Sequence, residues 1–137
     1  MTDLGNYSTL RVRVDEGVAF VTIDNPPINL LDLGLIGDLD RFGQEIERIE
    51  DVRVVVFDSA DDEFFIAHAD VELIQRLPRE VPPKAESPTG FHAMVDRFRT
   101  LPQATIAFIE GCARGGGSEF ALSLDMRFGA IGRAILA

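Results

Sequence analysis

The sequence predicts an α/β fold with a largely parallel sheet, and two observations carry that prediction. After an opening hairpin, segments with strand character alternate with segments of helical periodicity. Two strand segments, Val52 to Ala60 and Ala104 to Gly111, are nearly continuous apolar runs, which is typical of strands buried on both faces of a parallel sheet. We expect one domain over residues 1–137, because that length is about one ordinary domain.

The first part of the chain is predicted to form a hairpin, a loop and a helix. From Thr9 to Asp24, apolar residues alternate with polar ones before a turn at residues 15–17, which indicates a β-hairpin. The proline pair in NPPINLLD predicts a loop. From Leu35 to Ile49, apolar residues recur every three or four positions, so an amphipathic helix is expected.

The remaining elements continue the alternation. A strand ends at residues 64–66, and Asp70 then occupies an N-cap position for a short helix. Residues 78–90 contain four prolines and predict a mobile surface loop. Helices are expected over residues 91–101 and 116–124, and DMRFGAIG begins one more strand. The chain stops at GRAILA, in the middle of an apparent element, so we expect a fragment or a truncated gene product.

Composition narrows the functional class. The net charge of −10 and the single lysine, Lys84, argue against nucleic-acid binding, which needs a basic surface. One cysteine, Cys112, excludes an internal disulfide framework. The stretch MTDLGNYSTL lacks the features of a signal peptide, and no apolar run approaches the ~20 residues of a membrane span. We therefore expect a cytoplasmic protein without membrane partners.

Three consecutive glycines, residues 115–117, precede the last predicted helix, which carries a glutamate in a segment that looks buried. A dinucleotide fingerprint would need glycine where Phe120 stands, and a phosphate loop would need lysine where Ser118 stands. Ser118 is also not framed as Gly-x-Ser-x-Gly, which excludes a nucleophile elbow. The glycine run therefore belongs to none of these three motifs.

The geometry of a helix start leaves one chemical use for this segment. The N–H of Gly116 would be an unpaired donor at the positive end of the helix dipole, and Glu119 would lie one turn away. A donor and a carboxylate so placed could polarise a carbonyl and move a proton beside it. The alternative is a cluster of helix-packing glycines, with Glu119 interacting only with the dipole.

A second junction of this kind occurs in IAHADV. A strand that ends there exposes backbone N–H groups at residues 68–70, and the small residues Ala67 and Ala69 let a ligand approach closely. The alternative is an ordinary strand-to-helix junction. His68 and Asp70 supply only two metal ligands with no evident third, so we expect no metal site.

Two such junctions together are what polarisation of a carbonyl by two donors requires. The segments FFIAHADVELI and ATIAFIEGCARGGGSEFALSLDMRFGA resemble the crotonase family, the enoyl-CoA hydratase/isomerase superfamily, and VAFVTIDNPPINLLD resembles its opening hairpin and loop. The resemblance implies a crotonase-like ββα spiral core that is truncated at the C-terminus. The helices that complete the family's pocket and trimer would be absent.

The resemblance also implies roles for individual residues. The N–H groups of Ala69 and Gly116 would form an oxyanion hole for a thioester carbonyl, and Glu119 matches the first catalytic glutamate of the hydratases. His68 stands where glycine is commoner in the family. The residues expected to contact substrate, besides Gly116, are Ala67, His68, Ala69, Asp70 and Val71 along the coenzyme A channel, with Asn29 and Leu30 flanking it.

By the same resemblance, the protein would be an enoyl-CoA hydratase or isomerase of fatty acid metabolism, a lyase or an isomerase. Its partner would be an acyl-CoA thioester, with coenzyme A part of the substrate and no separate cofactor. A full-length form would be a trimer or hexamer. The family's second glutamate would follow Ala137, so hydration through two glutamates cannot be completed here, and isomerase, decarboxylase or thioesterase chemistry stays open. The alternative is a non-catalytic, truncated protein that binds only acyl-CoA or a partner subunit.

Overall fold

Two sheets and four helices organise the chain, in a computed structural model that describes residues 4–137. The strands are β1 Leu10–Asp15, β2 Val18–Ile23, β3 Val54–Ser59, β4 Phe64–Ile66, β5 Ala104–Ile109, β6 Cys112–Ala113, β7 Met126–Gly129 and β8 Ile135–Leu136. The helices are α1 Leu33–Ile46, α2 Val71–Gln75, α3 Gly90–Thr100 and α4 Gly116–Ser123. Residues 1–3, part of the stretch assessed for a signal peptide, lie outside the described residues. Within residues 4–137, no helix combines the length and apolar character needed to cross a membrane.

The larger sheet has the order β1-β2-β3-β5-β7, and its pairings confirm the predicted parallel character. Only β1 and β2 are antiparallel, and the remaining pairs are parallel. Glu16 and Gly17 both have positive φ, 46° and 81°, as the tight turn of such a hairpin requires. A second, parallel sheet has the order β4-β6-β8. Its strands β6 and β8 were not predicted, since two residues carry no periodicity.

The first predicted helix and two predicted strands differ from the structure in detail. The first helix was expected to continue to Ile49 but ends at Ile46, where Gln103 Nε2 donates to the carbonyls of Ile46 (2.8 Å) and Ile49 (3.2 Å) and replaces helical bonds. The expectation that the strands over residues 52–60 and 104–111 are buried on both faces was wrong. Val55 and Phe57 of β3 and Ala107 and Ile109 of β5 are buried, whereas the opposite face of each strand is partly exposed, with Phe108 at 44%. Residues 78–89 form the expected exposed, irregular connection.

Four phenylalanines from four different elements form the centre of the core. Phe57 of β3 contacts Phe42 of α1, Phe98 of α3 and Phe120 of α4, with ring centroids 5.9, 5.5 and 5.1 Å apart. All three pairs are edge-to-face, an arrangement that contributes about 0.5–1.5 kcal/mol per pair beyond buried area. The cluster therefore fixes α4 against β3 and α3.

A reciprocal clamp holds the C-terminal end of α4. Oδ2 of Asp125, just after the helix, accepts from the Thr105 N–H at 2.8 Å, and the Asp125 N–H donates to the Thr105 hydroxyl at 2.9 Å. Thr105 is fully buried. Because one partner lies on β5 and the other follows α4, the clamp fixes the helix relative to the sheet.

We expect Thr105→Val to lower the free energy of unfolding by about 1–3 kcal/mol, because the Asp125 N–H loses its acceptor without a change in side-chain volume. The measurement is urea unfolding. Thr22→Val is the matched control, since the Thr22 hydroxyl makes no hydrogen bond within residues 4–137. Equal destabilisation by both substitutions would contradict the role of the clamp.

A polar cluster ties the N-terminal segment to α1. Glu45 accepts hydrogen bonds from the Tyr7 hydroxyl and from the Gly5 N–H, and the Arg41 guanidinium lies 4.6 Å from the centre of the Tyr7 ring. Burial, then the hydrogen bond and charge of Glu45, raise the pKa of Tyr7 well above its ordinary value of 10.0. Burial alone would raise the pKa of Glu45, but the hydrogen bonds and Arg41 lower it below 4.5.

These opposite pKa shifts predict how the cluster contributes to stability at different pH. The depressed pKa of Glu45 stabilises the fold above pH 4.5, and this contribution is lost as pH falls through the folded value. The raised pKa of Tyr7 means that the unfolded state ionises first as pH rises past 10.0, which destabilises the fold there.

We therefore expect Tyr7→Phe to reduce the free energy of unfolding most between these limits. The difference from the unsubstituted protein should narrow in acid and again in strong alkali. Urea unfolding across the pH range measures it. A difference that stays constant with pH would show that Tyr7 contributes by packing alone.

Candidate active site

The buried side chain of Asn29 anchors the loop between β2 and α1. This residue has φ of 51° and is 1% exposed. Its Nδ2 donates to Ser59 Oγ at 2.7 Å and to the Phe65 carbonyl at 3.1 Å, and its Oδ1 accepts from the Asn25 N–H at 2.8 Å. The predicted loop is therefore present, but the Asn29 side chain anchors it to the ends of β3 and β4 and faces away from solvent. Leu30 is half-buried beside it.

Leu31 joins this loop to the first predicted donor segment. Its N–H donates to the His68 carbonyl at 2.9 Å, and its carbonyl accepts from the Asp70 N–H at 3.0 Å. The two bonds form a one-residue parallel bridge between Leu31 and Ala69. In a parallel bridge the paired residue directs its own N–H to the other side. The Ala69 N–H accordingly has no acceptor among the described residues.

The segment around Ala69 has the predicted form, a strand end followed by a capped short helix. Oδ1 of Asp70 accepts from the Glu72 N–H at 2.9 Å and caps α2, and His68 Nδ1 lies 2.7 Å from the Ala69 carbonyl oxygen. Ala67 is 1% exposed and supports the segment from the core. His68 and Val71 are exposed, so this segment meets solvent at residues 68–71.

The three glycines of the second junction serve three different needs. Gly115 has φ of 52° and ψ of −123°, a conformation accessible to glycine. Gly116 is the first residue of α4, and its N–H has no partner among the described residues. A β-carbon on Gly117 would lie 2.7 Å from both Cβ and O of Ile66, so α4 touches β4 directly. The packing explanation of the glycine run thus holds for Gly117.

The surroundings of Gly116 connect the two junctions. A β-carbon at this position would lie 2.6 Å from Cδ2 of Leu31, 3.6 Å from Cζ of Phe91 and 4.0 Å from Oε2 of Glu119. Leu31 therefore contacts the helix start with its side chain and the Ala69 segment with its backbone. The Ala69 segment and Gly116 thus have Leu31 as a common neighbour, and Oε2 of Glu119 lies 4.0 Å from the position of a β-carbon on Gly116.

The expectation that Glu119 is buried was wrong. With the periodicity of α4, Gly117, Phe120 and Ala121 lie on the face packed against the core, whereas Glu119 and Leu122 lie on the exposed face. The carboxylate makes no hydrogen bond or ion pair with residues 4–137, and it lies in the first turn of α4, where the helix dipole favours negative charge. It is therefore available to a ligand bound beside Gly116.

Sequence reasoning missed Leu31 and Phe91 as parts of this arrangement. Neither carries a local signal, because each reaches Gly116 only through the tertiary fold. Within the described residues, no three His, Cys, Asp or Glu side chains are grouped to hold a metal ion. What remains is two backbone donors, one free carboxylate and an apolar wall of Leu31 and Phe91. Such a set can hold a carbonyl oxygen and exchange a proton near it.

Comparison with known proteins identifies related chains. A family model described as enoyl-CoA hydratase/isomerase matches residues 13–131. The fatty acid oxidation complex subunit alpha of Idiomarina loihiensis is 34% identical over 121 residues, which cover 87% of this chain and 17% of that relative.

Solved structures agree on the fold. An enoyl-CoA hydratase candidate from Streptomyces avermitilis is 38% identical with a TM-score of 0.79, over 94% of this chain and 48% of that one. The enoyl-CoA hydratase of Bacillus anthracis, at 24% identity, has a TM-score of 0.79 over 92% of this chain and 49% of its own, and this likeness concerns the fold alone. The chain thus spans about half the length of these solved relatives.

Replacing glycine by alanine should change the free energy of unfolding in opposite directions at Gly115 and at Gly37. Gly115→Ala should lower the free energy of unfolding by about 1–3 kcal/mol, because alanine is strained at φ of 52°. Gly37→Ala in the exposed middle of α1, where a β-carbon would meet nothing within 4 Å, should raise it by about 0.5–1 kcal/mol. Urea unfolding of both variants is the measurement. Stabilisation by Gly115→Ala would contradict the assigned conformation.

Proposed function

The chain belongs to the enoyl-CoA hydratase/isomerase family, and on that premise we propose that it binds an acyl-CoA thioester and stabilises the enolate of that thioester. The observation that supports this most is the position of Leu31, which connects the unpaired N–H of Ala69 with the start of α4 at Gly116. Two free backbone donors from separate junctions are what a thioester oxygen needs when it gains charge.

The chemistry follows from where charge develops. Removing a proton beside a thioester, or adding water across the neighbouring double bond, places negative charge on the carbonyl oxygen. Donors fixed around that oxygen stabilise the transition state more than the ground state, and one such donor typically contributes about 10²–10³ in kcat. The start of α4 adds the positive end of its dipole at Gly116.

Glu119 is proposed as the acid/base of the reaction. Glu119 follows Gly116 by about one helical turn, and its Oε2 lies 4.0 Å from the position of a β-carbon on Gly116. The carboxylate has no other partner among the described residues. A proton on the carbon chain of a bound thioester would lie within its reach. For the whole protein we propose hydration or isomerisation of a 2-enoyl-CoA, with residues 68–71 along the coenzyme A chain and a homo-oligomeric assembly.

A second candidate function is binding of acyl-CoA or a partner subunit without turnover. Two observations favour it. Glu119 is exposed to water, and apolar side chains on α4 and β7 are exposed: Leu122 of α4 at 60%, Phe128 of β7 at 55% and Met126 of β7 at 43%. An apolar surface of this kind is typical of contact with another chain.

Substitution of Glu119 tests the proposed acid/base. We expect Glu119→Gln to lower kcat with crotonyl-CoA by about 10²–10⁴ while calorimetric affinity for coenzyme A thioesters stays nearly unchanged, because the amide cannot exchange the proton. Glu50→Gln, an exposed glutamate on another surface, is the matched control.

The same assays separate the candidates. Turnover by the 137-residue chain that survives Glu119→Gln would refute the role of Glu119. Binding without turnover by the unsubstituted chain would favour acyl-CoA binding as its function. Absence of both binding and turnover would reject any acyl-CoA function of this chain and leave only contact with a partner subunit.

A further inference from the structure

We infer that Leu31 is a positioning residue, which sets the separation and direction of the two N–H donors. This inference deepens the proposed function and rests on it. Leu31 is 2% exposed and belongs to neither junction, yet it contacts both: its backbone pairs with residues 68–70 and its side chain lies on Gly116.

The backbone of Leu31 acts on the peptide that carries the first donor. The Leu31 N–H donates at 2.9 Å to the His68 carbonyl, which belongs to the same peptide unit as the Ala69 N–H. A hydrogen bond to the carbonyl polarises the unit and makes its N–H a stronger donor. The bond from the Asp70 N–H to the Leu31 carbonyl, at 3.0 Å, fixes the rotation of this segment.

The side chain of Leu31 acts on the second donor through contact. Cδ2 occupies the space that a β-carbon of Gly116 would need, at only 2.6 Å from it. Gly116 does not have the positive φ found at Gly115, so the requirement for glycine here is one of space. The isobutyl group and the start of α4 therefore set each other's positions.

Leu31 can perform this role because its neighbours hold it. Asn29, two residues before it, is anchored to Ser59 Oγ at 2.7 Å. Asp32, directly after it, caps α1 by accepting from the Leu35 N–H at 2.8 Å. With both sides fixed, a shift of Leu31 has to be taken up by Gly116 or by the Ala69 peptide.

A double-mutant cycle tests the contact without any assay of activity. Gly116→Ala alone should lower the urea midpoint, because its β-carbon meets Cδ2 of Leu31. In the Leu31→Ala background, Gly116→Ala should lower the urea midpoint less than it does in the unsubstituted chain, or raise it. The reason is that the methyl group of the new alanine at position 116 enters the space left by the leucine side chain. Leu30→Ala is the matched control and should give no relief. Additive effects in the Leu31 pair would overturn the inference.

Amide NMR tests whether the contact orients the donors. In Leu31→Ala, the amide resonances of Ala69 and Gly116 should both shift. In Leu31→Met, which keeps the side-chain volume, the two resonances should shift less. In Leu30→Ala they should not shift. Unchanged resonances of both residues in Leu31→Ala would overturn the inference, whether or not the chain has activity.

Kinetics with crotonyl-CoA then separate this inference from the proposed function. Leu31→Ala should lower kcat by about 10²-fold, as misplacement of a reacting group by about 1 Å does, with a smaller change in KM and recovery in Leu31→Met. If the unsubstituted chain turns substrate over and Leu31→Ala matches it, the inference is overturned. If the unsubstituted chain neither binds nor turns over a thioester, the proposed function fails, and the NMR result still decides whether Leu31 positions the two amides.

Discussion

The missing β-carbons of Gly116 and Gly117 are the constraint on which the rest of the site depends. A side chain at Gly117 would meet Ile66 at 2.7 Å, and one at Gly116 would meet Leu31 at 2.6 Å. Without them, the first turn of α4 lies directly on β4 and on the loop before α1. The unpaired N–H groups at the helix start and at Ala69 can then share one neighbour, Leu31.

The remainder of the fold keeps this contact in place. Phe120 ties α4 to the aromatic core, with its ring centroid 5.1 Å from that of Phe57, and the pair of Thr105 and Asp125 fixes the other end of the helix. The buried Asn29 side chain fixes the loop between β2 and α1 through its hydrogen bonds to Ser59 Oγ and the Phe65 carbonyl. The donors themselves are main-chain groups, so their direction is set by how these buried side chains hold the backbone and not by the identity of any exposed residue. A histidine at position 68, where glycine is commoner in the family, is therefore compatible with the proposed oxyanion hole.

Sequence patterns predicted the local secondary structure and missed the contacts between segments that are distant in sequence. Alternation gave the hairpin, helical periodicity gave α1 with Leu35, Leu39 and Phe42 inside, and the N-cap signal located α2. The two donor junctions followed from glycine and small residues next to strand ends. The burial of Asn29, the contact between Leu31 and Gly116 and the exposure of Glu119 could not be predicted, because each depends on which distant element packs against the segment. The roles of Ala69, Gly116 and Glu119 in catalysis stay predictions.

In the function that we propose, the amides of Ala69 and Gly116 hold one thioester oxygen. Isotope-edited infrared spectroscopy of crotonyl-CoA with a ¹³C-labelled thioester carbonyl, bound to the chain, tests it most directly. Two fixed donors should move the carbonyl band of the bound ligand to lower frequency than in water, since they weaken the C=O bond more than mobile solvent does. A bound ligand whose carbonyl band stays at its frequency in water, or rises above it, would contradict the account.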